Sequence, residues 1–248
     1  MKQKKETNLN ESLTFDNFIE VASNKFARRV LMQESQSSDV VHSPLVYIWG
    51  DTALGKTHLL HAFGNQYIKD DRKVIYTVGE LFANEFTEAL REQMMSSFYK
   101  KYEECDALIL DDIDDIRYKE QTQHTLLVIM KKLMNLGKKI VLVGKHNPYN
   151  GKGLIEELHS FIMEGLIVHI ETYNESEKSR LIEAFCMKNN MEIPKELNAF
   201  IVESFSQNIK MIKGVLLMMR TYYTIFEKSM PIEVLQKISL QFSEKDKQ

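Results

Sequence analysis

The chain has 248 residues, 44% hydrophobic and 27% charged, with a formal net charge of −3 and a pI near 6.2. That balance excludes wholesale disorder and a generally basic nucleic-acid coat, and the length allows one large domain or a core with a small appendage. Two cysteines, Cys105 and Cys186, support neither a disulfide framework nor a four-ligand zinc site, and they fit a reducing compartment. The apolar runs 126–130 and 215–219 are far too short to span a bilayer, and the opening MKQKKETNLNES has no apolar signal-peptide stretch. A soluble cytoplasmic protein that does not enter the membrane is the expectation.

In chain order, short apolar runs at 45–49, 74–78, 107–110, 140–143 and 166–170 read as strands buried on both faces of a parallel sheet. Helical spacing fills the intervals, as in Leu126, Leu127, Met130, Leu133 and Met134. From Glu175 onward the pattern is helical only, broken near 189–194, 206–208 and 229–231, with Pro194 and Pro231 suited to first helical turns. The expected fold is α/β: a five-stranded parallel sheet with flanking helices over residues 1–172, then a small all-α lid over 173–248.

The strongest motif is Gly50-Asp51-Thr52-Ala53-Leu54-Gly55-Lys56-Thr57, which satisfies G-x-x-x-x-G-K-[ST] between the strand at 45–49 and a helix expected over 58–68. Its glycines let backbone N–H groups curl around a phosphate, and the helix N-terminus adds favourable partial charge. Lys56 reaches the β- and γ-phosphates in this reading, and the Thr57 hydroxyl ligates Mg2+. Gly50 through Thr57 and His58, which opens the helix, are the candidate nucleotide contacts. A second element, Ala107-Leu108-Ile109-Leu110-Asp111-Asp112, delivers two carboxylates at a strand end. Asp111 is suited to hold Mg2+, directly or through water, and Asp112 to orient or deprotonate an attacking water. Together the two motifs indicate ATP or GTP binding.

Other features have plainer readings. His58 and His61 lie one turn apart but lack a partner at metal-ligand spacing. Met211, Met218 and Met219 fit helix core. Lys131–Lys132 and Lys138–Lys139 read either as a small basic patch or, by default, as solvated helix ends. No nucleophile constellation stands out.

The segments around these motifs resemble the AAA+ domain of the bacterial replication initiator family, DnaA. The resemblance is carried by LTFDNF (13–18), NKFA (24–27), GDTALGKTHLLHAFG (50–64), LFANEF (81–86), 98–113 and KEQTQ (119–123), and runs from about residue 12 to about 240. It implies a P-loop nucleotide-binding base with a helical lid, ATP or ADP with Mg2+ as cofactors, and adenine rather than guanine. Asn208-Ile209-Lys210-Met211-Ile212-Lys213-Gly214 is similar to the family's sensor-2 segment. Lys210 stands where an arginine normally touches the phosphates, so charge is kept and the planar fork lost.

Three departures shape the expectation. The sequence ends where the lid ends, without the family's helix-turn-helix module, so recognition of specific duplex DNA is not expected. Segment 143–148 lacks the acid expected at the sensor-1 position. Phe161 matches the arginine-finger position, and no arginine occurs between Arg117 and Arg180. The overall pattern resembles Hda, a short initiator-like regulator that works with the sliding clamp. No clamp-binding peptide of the Q-L-S-L type is visible near the N-terminus. The nearest match is KISLQF at 237–242, which also reads as a lid helix with Leu235, Ile238 and Phe242 facing the core.

The expected function is a nucleotide-binding AAA+ protein that acts in replication initiation or its regulation by associating with DnaA or another AAA+ replication protein, with weak or partner-dependent hydrolysis. The alternative is a helicase-loader-like or single-stranded-DNA-binding AAA+ ATPase, with the helix region 80–102 lying where initiators contact single strands.

Overall fold

Five parallel strands form from the five apolar runs: β1 (Leu45–Trp49), β2 (Val74–Val78), β3 (Ala107–Asp111), β4 (Lys139–Gly144) and β5 (Leu166–His169), in the order β2-β3-β4-β1-β5. This is a computed structural model, and it describes residues 7–36, 43–69, 71–205 and 209–245. The interior strands are buried at all but one end residue of β1 and of β4, so both faces of each are apolar rather than alternating. Along β1, Leu45 and Tyr47 point into one core while Val46 and Ile48, equally buried, point to the opposite face. β3 runs one residue beyond the expected 107–110, because Asp111 pairs with Val78 of β2.

The helices are α1 (Ala22–Gln36), α2 (Lys56–Ile68), α3 (Gly79–Arg91), α4 (Met95–Glu103), α5 (Glu120–Asn135), α6 (Glu156–Met163), α7 (Glu175–Lys188), α8 (Lys195–Phe205), α9 (Ile209–Phe226) and α10 (Ile232–Lys245). One core joins the sheet to Phe82 and Phe86 of α3, Phe98 and Tyr102 of α4, the expected stripe Leu126, Leu127, Met130 and Leu133 of α5, and Phe161 of α6. The region 80–102 is not one helix. It breaks after Arg91, where Gln93 takes a φ of 58° and Met94 N–H bonds back to the Ala89 carbonyl at 2.8 Å.

The chain divides into two compact units, one up to residue 171 and one from 172 onward, except that 21–23 and 52–54 group with the second. Hydrogen bonds explain these excursions. Glu177 completes a capping box with Asn174 at the start of α7, and its carboxylate also accepts from Ser23 N–H (2.8 Å) and Ser23 Oγ (2.7 Å). The Tyr173 hydroxyl donates to the Leu54 carbonyl at 2.6 Å. The second unit has its own core, which includes Ile182, Cys186, Ile201, Phe205, Val215, Met219 and Leu235.

Several details differ from expectation. Pro194 and Pro231 stand just before α8 and α10 rather than inside their first turns. Each spends its carbonyl on the first helical bond, to Asn198 N–H at 3.0 Å and Val234 N–H at 3.1 Å, and has no N–H to lose. Met219 is buried and Met211 packs on the core, but Met218 is exposed. Lys138 and Lys139 are paired with Asp106 and Glu34, so they form no basic patch. Ile238 packs on the second core, whereas the side chains of Leu240 and Phe242, like Asn208 and the break at 206–208, lie outside the described residues.

Candidate nucleotide-binding site

β1 runs straight into the glycine loop, and the loop into α2. Gly55 has a φ of +87° and ends the loop in a left-handed residue, so Lys56 is already helical and α2 starts two residues earlier than expected. The first helical bond joins Leu59 N–H to the Gly55 carbonyl. The N–H groups of Lys56, Thr57 and His58 therefore precede any intrahelical acceptor, which makes the loop a donor-rich cradle for an anion. Ala53 also takes a positive φ, 66°. A side chain on Gly55 would strike Phe18, which lies against the loop backbone.

The Lys56 ammonium donates to the carbonyls of Gly50 (2.7 Å) and Asp51 (2.6 Å). Burial draws its pKa down, opposed by Asp111, Asp112, Asp51 and Asp114, so several carboxylates share the field of one buried cation. The Thr57 hydroxyl donates to Asp111 Oδ2 at 2.7 Å, bringing the two expected metal-binding groups together. Asp111 is buried, and its Oδ1 accepts from the Asp112 backbone N–H at 3.0 Å. Asp112 itself lies in the left-handed region, φ 47° and ψ 53°, and its side chain is exposed. Partial desolvation at the strand end and the neighbouring Asp111 and Asp115 raise its pKa, which suits a group that takes a proton from water.

The donor set beside the loop is a hydroxyl and a carboxylate. Hard oxygens in small number fit Mg2+, which keeps several waters and takes phosphate oxygens for the remainder. Among the described residues no group of three or more His, Cys, Asp or Glu is arranged as a metal cage. His58 and His61 are otherwise engaged: His58 Nε2 lies 3.0 Å from both the Thr14 carbonyl and Asn17 Oδ1, and His61 Nδ1 accepts from Asn10 N–H at 3.3 Å. His58 thus faces the loop through its backbone, while its ring is held by the segment before α1. Asp51, Thr52, Ala53 and Thr57 are exposed, and Leu54 is buried. Lys210 is exposed in the first turn of α9, in the second unit.

Three residues at the sheet end were not legible in the motifs. Tyr76 of β2 donates its hydroxyl to Asp111 Oδ2 at 3.3 Å, and burial together with Asp111 pushes its phenol pKa far up, so it stays a donor. Asp114, on the 310 turn after β3, accepts from the Lys145 N–H, from Arg117 Nε (2.6 Å) and from His146 Nδ1 (2.8 Å). Burial raises its pKa, but these donors outweigh burial and hold the carboxyl below the usual range. Tyr47 packs its hydroxyl against Gly144, where a side chain would meet it. No spacing rule marks any of the three, because each acts across strands.

Residues 9–169 match the family model of the bacterial DnaA ATPase domain. The chromosomal replication initiator protein DnaA of Campylobacter jejuni is 31% identical over 234 residues, 94% of this chain and 53% of that protein. The chain spans about half the length of the curated relatives it matches. Domain III of the Thermotoga maritima replication initiation protein DnaA has a TM-score of 0.84 at 26% identity, covering 92% of this chain and 95% of that one. A replication initiator DnaA bound to AMPPCP and single-stranded DNA has a TM-score of 0.80 at 28% identity, covering 86% and 66%. With a phosphate loop, a paired carboxylate and a five-stranded sheet in this arrangement, the chain belongs to the bacterial DnaA ATPase-domain family.

Proposed function

We propose that this chain is a cytoplasmic ATP- or ADP-binding AAA+ protein that acts in replication initiation or its control by associating with an initiator. The observation that carries the reading is the phosphate loop with Thr57 on Asp111 at 2.7 Å, in a chain with no arginine between Arg117 and Arg180. Its own residues supply each binding task. The loop amides and Lys56 hold the phosphates, Thr57 and Asp111 present oxygens to Mg2+, and Asp112 accepts a proton from water. Mg2+, when bound, neutralises phosphate charge and orients the phosphate chain.

Phe161 matches the finger position and is buried in the core, so it offers a neighbour's site no cation. AAA+ subunits meet head to tail, through a nucleotide face and a finger face. A subunit with an intact loop and no finger can receive a partner's arginine but cannot serve the next site. This supports a one-sided partner of a DnaA-type initiator, an arrangement like that of Hda, with hydrolysis weak or dependent on the partner. Lys210, as the lid's counterpart of a sensor arginine, adds a phosphate contact in this reading. The division into a base over 1–172 and a lid over 173–248 belongs to the same proposal.

The test is co-elution with the full-length initiator of the same cell in ATP, in ADP and without nucleotide, with Lys56→Ala alongside. Nucleotide-dependent association that the variant loses is the expected result. No association under any condition overturns the reading. Salt-dependent binding of an oligonucleotide only in ATP, as the relative bound to AMPPCP and single-stranded DNA suggests, would then favour a strand-binding or helicase-loading role.

A further inference from the structure

Asp111 Oδ2 is held by two hydroxyls, and only one of them belongs to the phosphate loop. Thr57 of α2 donates from 2.7 Å and Tyr76 of the neighbouring strand β2 from 3.3 Å. Tyr76 sits opposite Ile109 in the β2–β3 register, on the face that Ile109 shares with Asp111, so its long ring reaches one residue pair along to the acid. The ring is itself confined. It lies against His61, with centroids 4.5 Å apart and planes at 37°. His61 is buried, and its Nδ1 is fixed by the Asn10 N–H at 3.3 Å, while the Asn10 carbonyl accepts from Asn65 Nδ2 at 2.8 Å.

A carboxylate with a single hydroxyl donor can rotate about its Cβ–Cγ bond. With Asp112 N–H on Oδ1 and two hydroxyls on Oδ2, its plane is set, and the remaining lone-pair site, on Oδ1, keeps one direction. Groups that orient a ligand from behind in this way commonly govern metal affinity by about 10- to 100-fold.

We infer that Tyr76 is a positioning residue for the divalent cation: its hydroxyl fixes the carboxylate of Asp111 so that Mg2+ and its waters meet a preset acceptor. The inference rests on the nucleotide-binding reading above. Tyr76→Phe removes one oxygen and leaves the ring against His61, so the fold and the metal-free site are expected to persist.

The experiment measures binding of a fluorescent ATP analogue to the full chain across a Mg2+ titration and in EDTA, for the unaltered protein and for Tyr76→Phe. The expected result is an unchanged affinity in EDTA with the Mg2+ midpoint shifted up about tenfold in the variant. Thermal unfolding without ligand is expected to be unchanged within a degree or two, roughly what one lost weak hydrogen bond allows. An unshifted midpoint with normal binding overturns the inference and leaves the nucleotide reading standing. Equal loss of affinity with and without Mg2+ overturns it too, because the hydroxyl then serves the loop and not the metal. Failure of the unaltered chain to bind the analogue at all overturns both.

Discussion

Asp114, on the turn after β3, accepts a hydrogen bond from the backbone N–H of Lys145 at the end of β4. The segment 143–148 has no acid of its own, and the neighbouring strand end supplies one to it. The same carboxylate pairs with Arg117, whose side chain is only 8% exposed, and with His146. One half-buried acid therefore clasps two strand ends at the end of the sheet that carries the phosphate loop.

Asp114→Asn leaves the Arg117 guanidinium buried without its counter-charge, which is expected to cost about 3 kcal/mol in urea unfolding at neutral pH. The pH dependence has a definite sign. Because the folded carboxyl titrates below its ordinary value, its stabilisation is complete above about pH 4 and is lost as pH falls through the folded pKa. The unaltered protein should therefore lose stability in acid more steeply than Asp114→Asn. Parallel acid curves would show that the clasp contributes nothing through its charge.

Lys56→Ala removes the cation that closes the loop through the Gly50 and Asp51 carbonyls. A charge-assisted contact to phosphate is worth about 1.5 to 3 kcal/mol, so ATP affinity should fall roughly 10- to 100-fold or more. Equilibrium titration of a fluorescent analogue checks this, with far-UV circular dichroism to confirm that the fold is retained.

Phe161→Ala is expected to destabilise the fold by about 3 to 5 kcal/mol, since the ring is in the core beside the sheet. Phe161→Arg should lower the thermal midpoint at least as far and should not stimulate a partner's hydrolysis. A soluble, stable Phe161→Arg protein that accelerates the initiator's ATP turnover would contradict the buried placement.

Trp49, the one tryptophan of the chain, stacks on His169 across β1 and β5, with centroids 3.7 Å apart and planes at 16°. His169→Ala uncovers one face of the indole. Its emission should shift to longer wavelength, with a stability loss of about 1 kcal/mol. An unchanged spectrum would mean that the rings are not stacked in solution.

Local patterns carried most of the architecture. The five strands are short apolar runs without alternation, as expected of a parallel sheet covered on both faces, and their length of four to six residues favours strand over helix. The loop and Asp111 were legible because their spacing is a property of the chain itself. Tyr76, Asp114 and Tyr47 were not, because they lie on two different strands and a turn and their roles depend on strand order, which no local pattern encodes. The prolines before α8 and α10 were misplaced by one position, since the same residue serves the last non-helical place and the first helical one. The break at Gln93 has no signature in the sequence, because an exposed glutamine with a positive φ leaves no compositional mark.

Gly79 opens α3 directly beneath the turn that holds the second acid, and a β-carbon there would sit 2.4 Å from the Asp112 carbonyl oxygen. Bare backbone thus rests on bare backbone, with no flexible side chain between them to absorb a shift. Asp112 already occupies a sparsely populated conformation, so its carbonyl has little room to retreat. The start of α3 and the turn carrying Asp112 are thus fitted to each other at backbone level, and even an alanine at residue 79 would force one of them to shift.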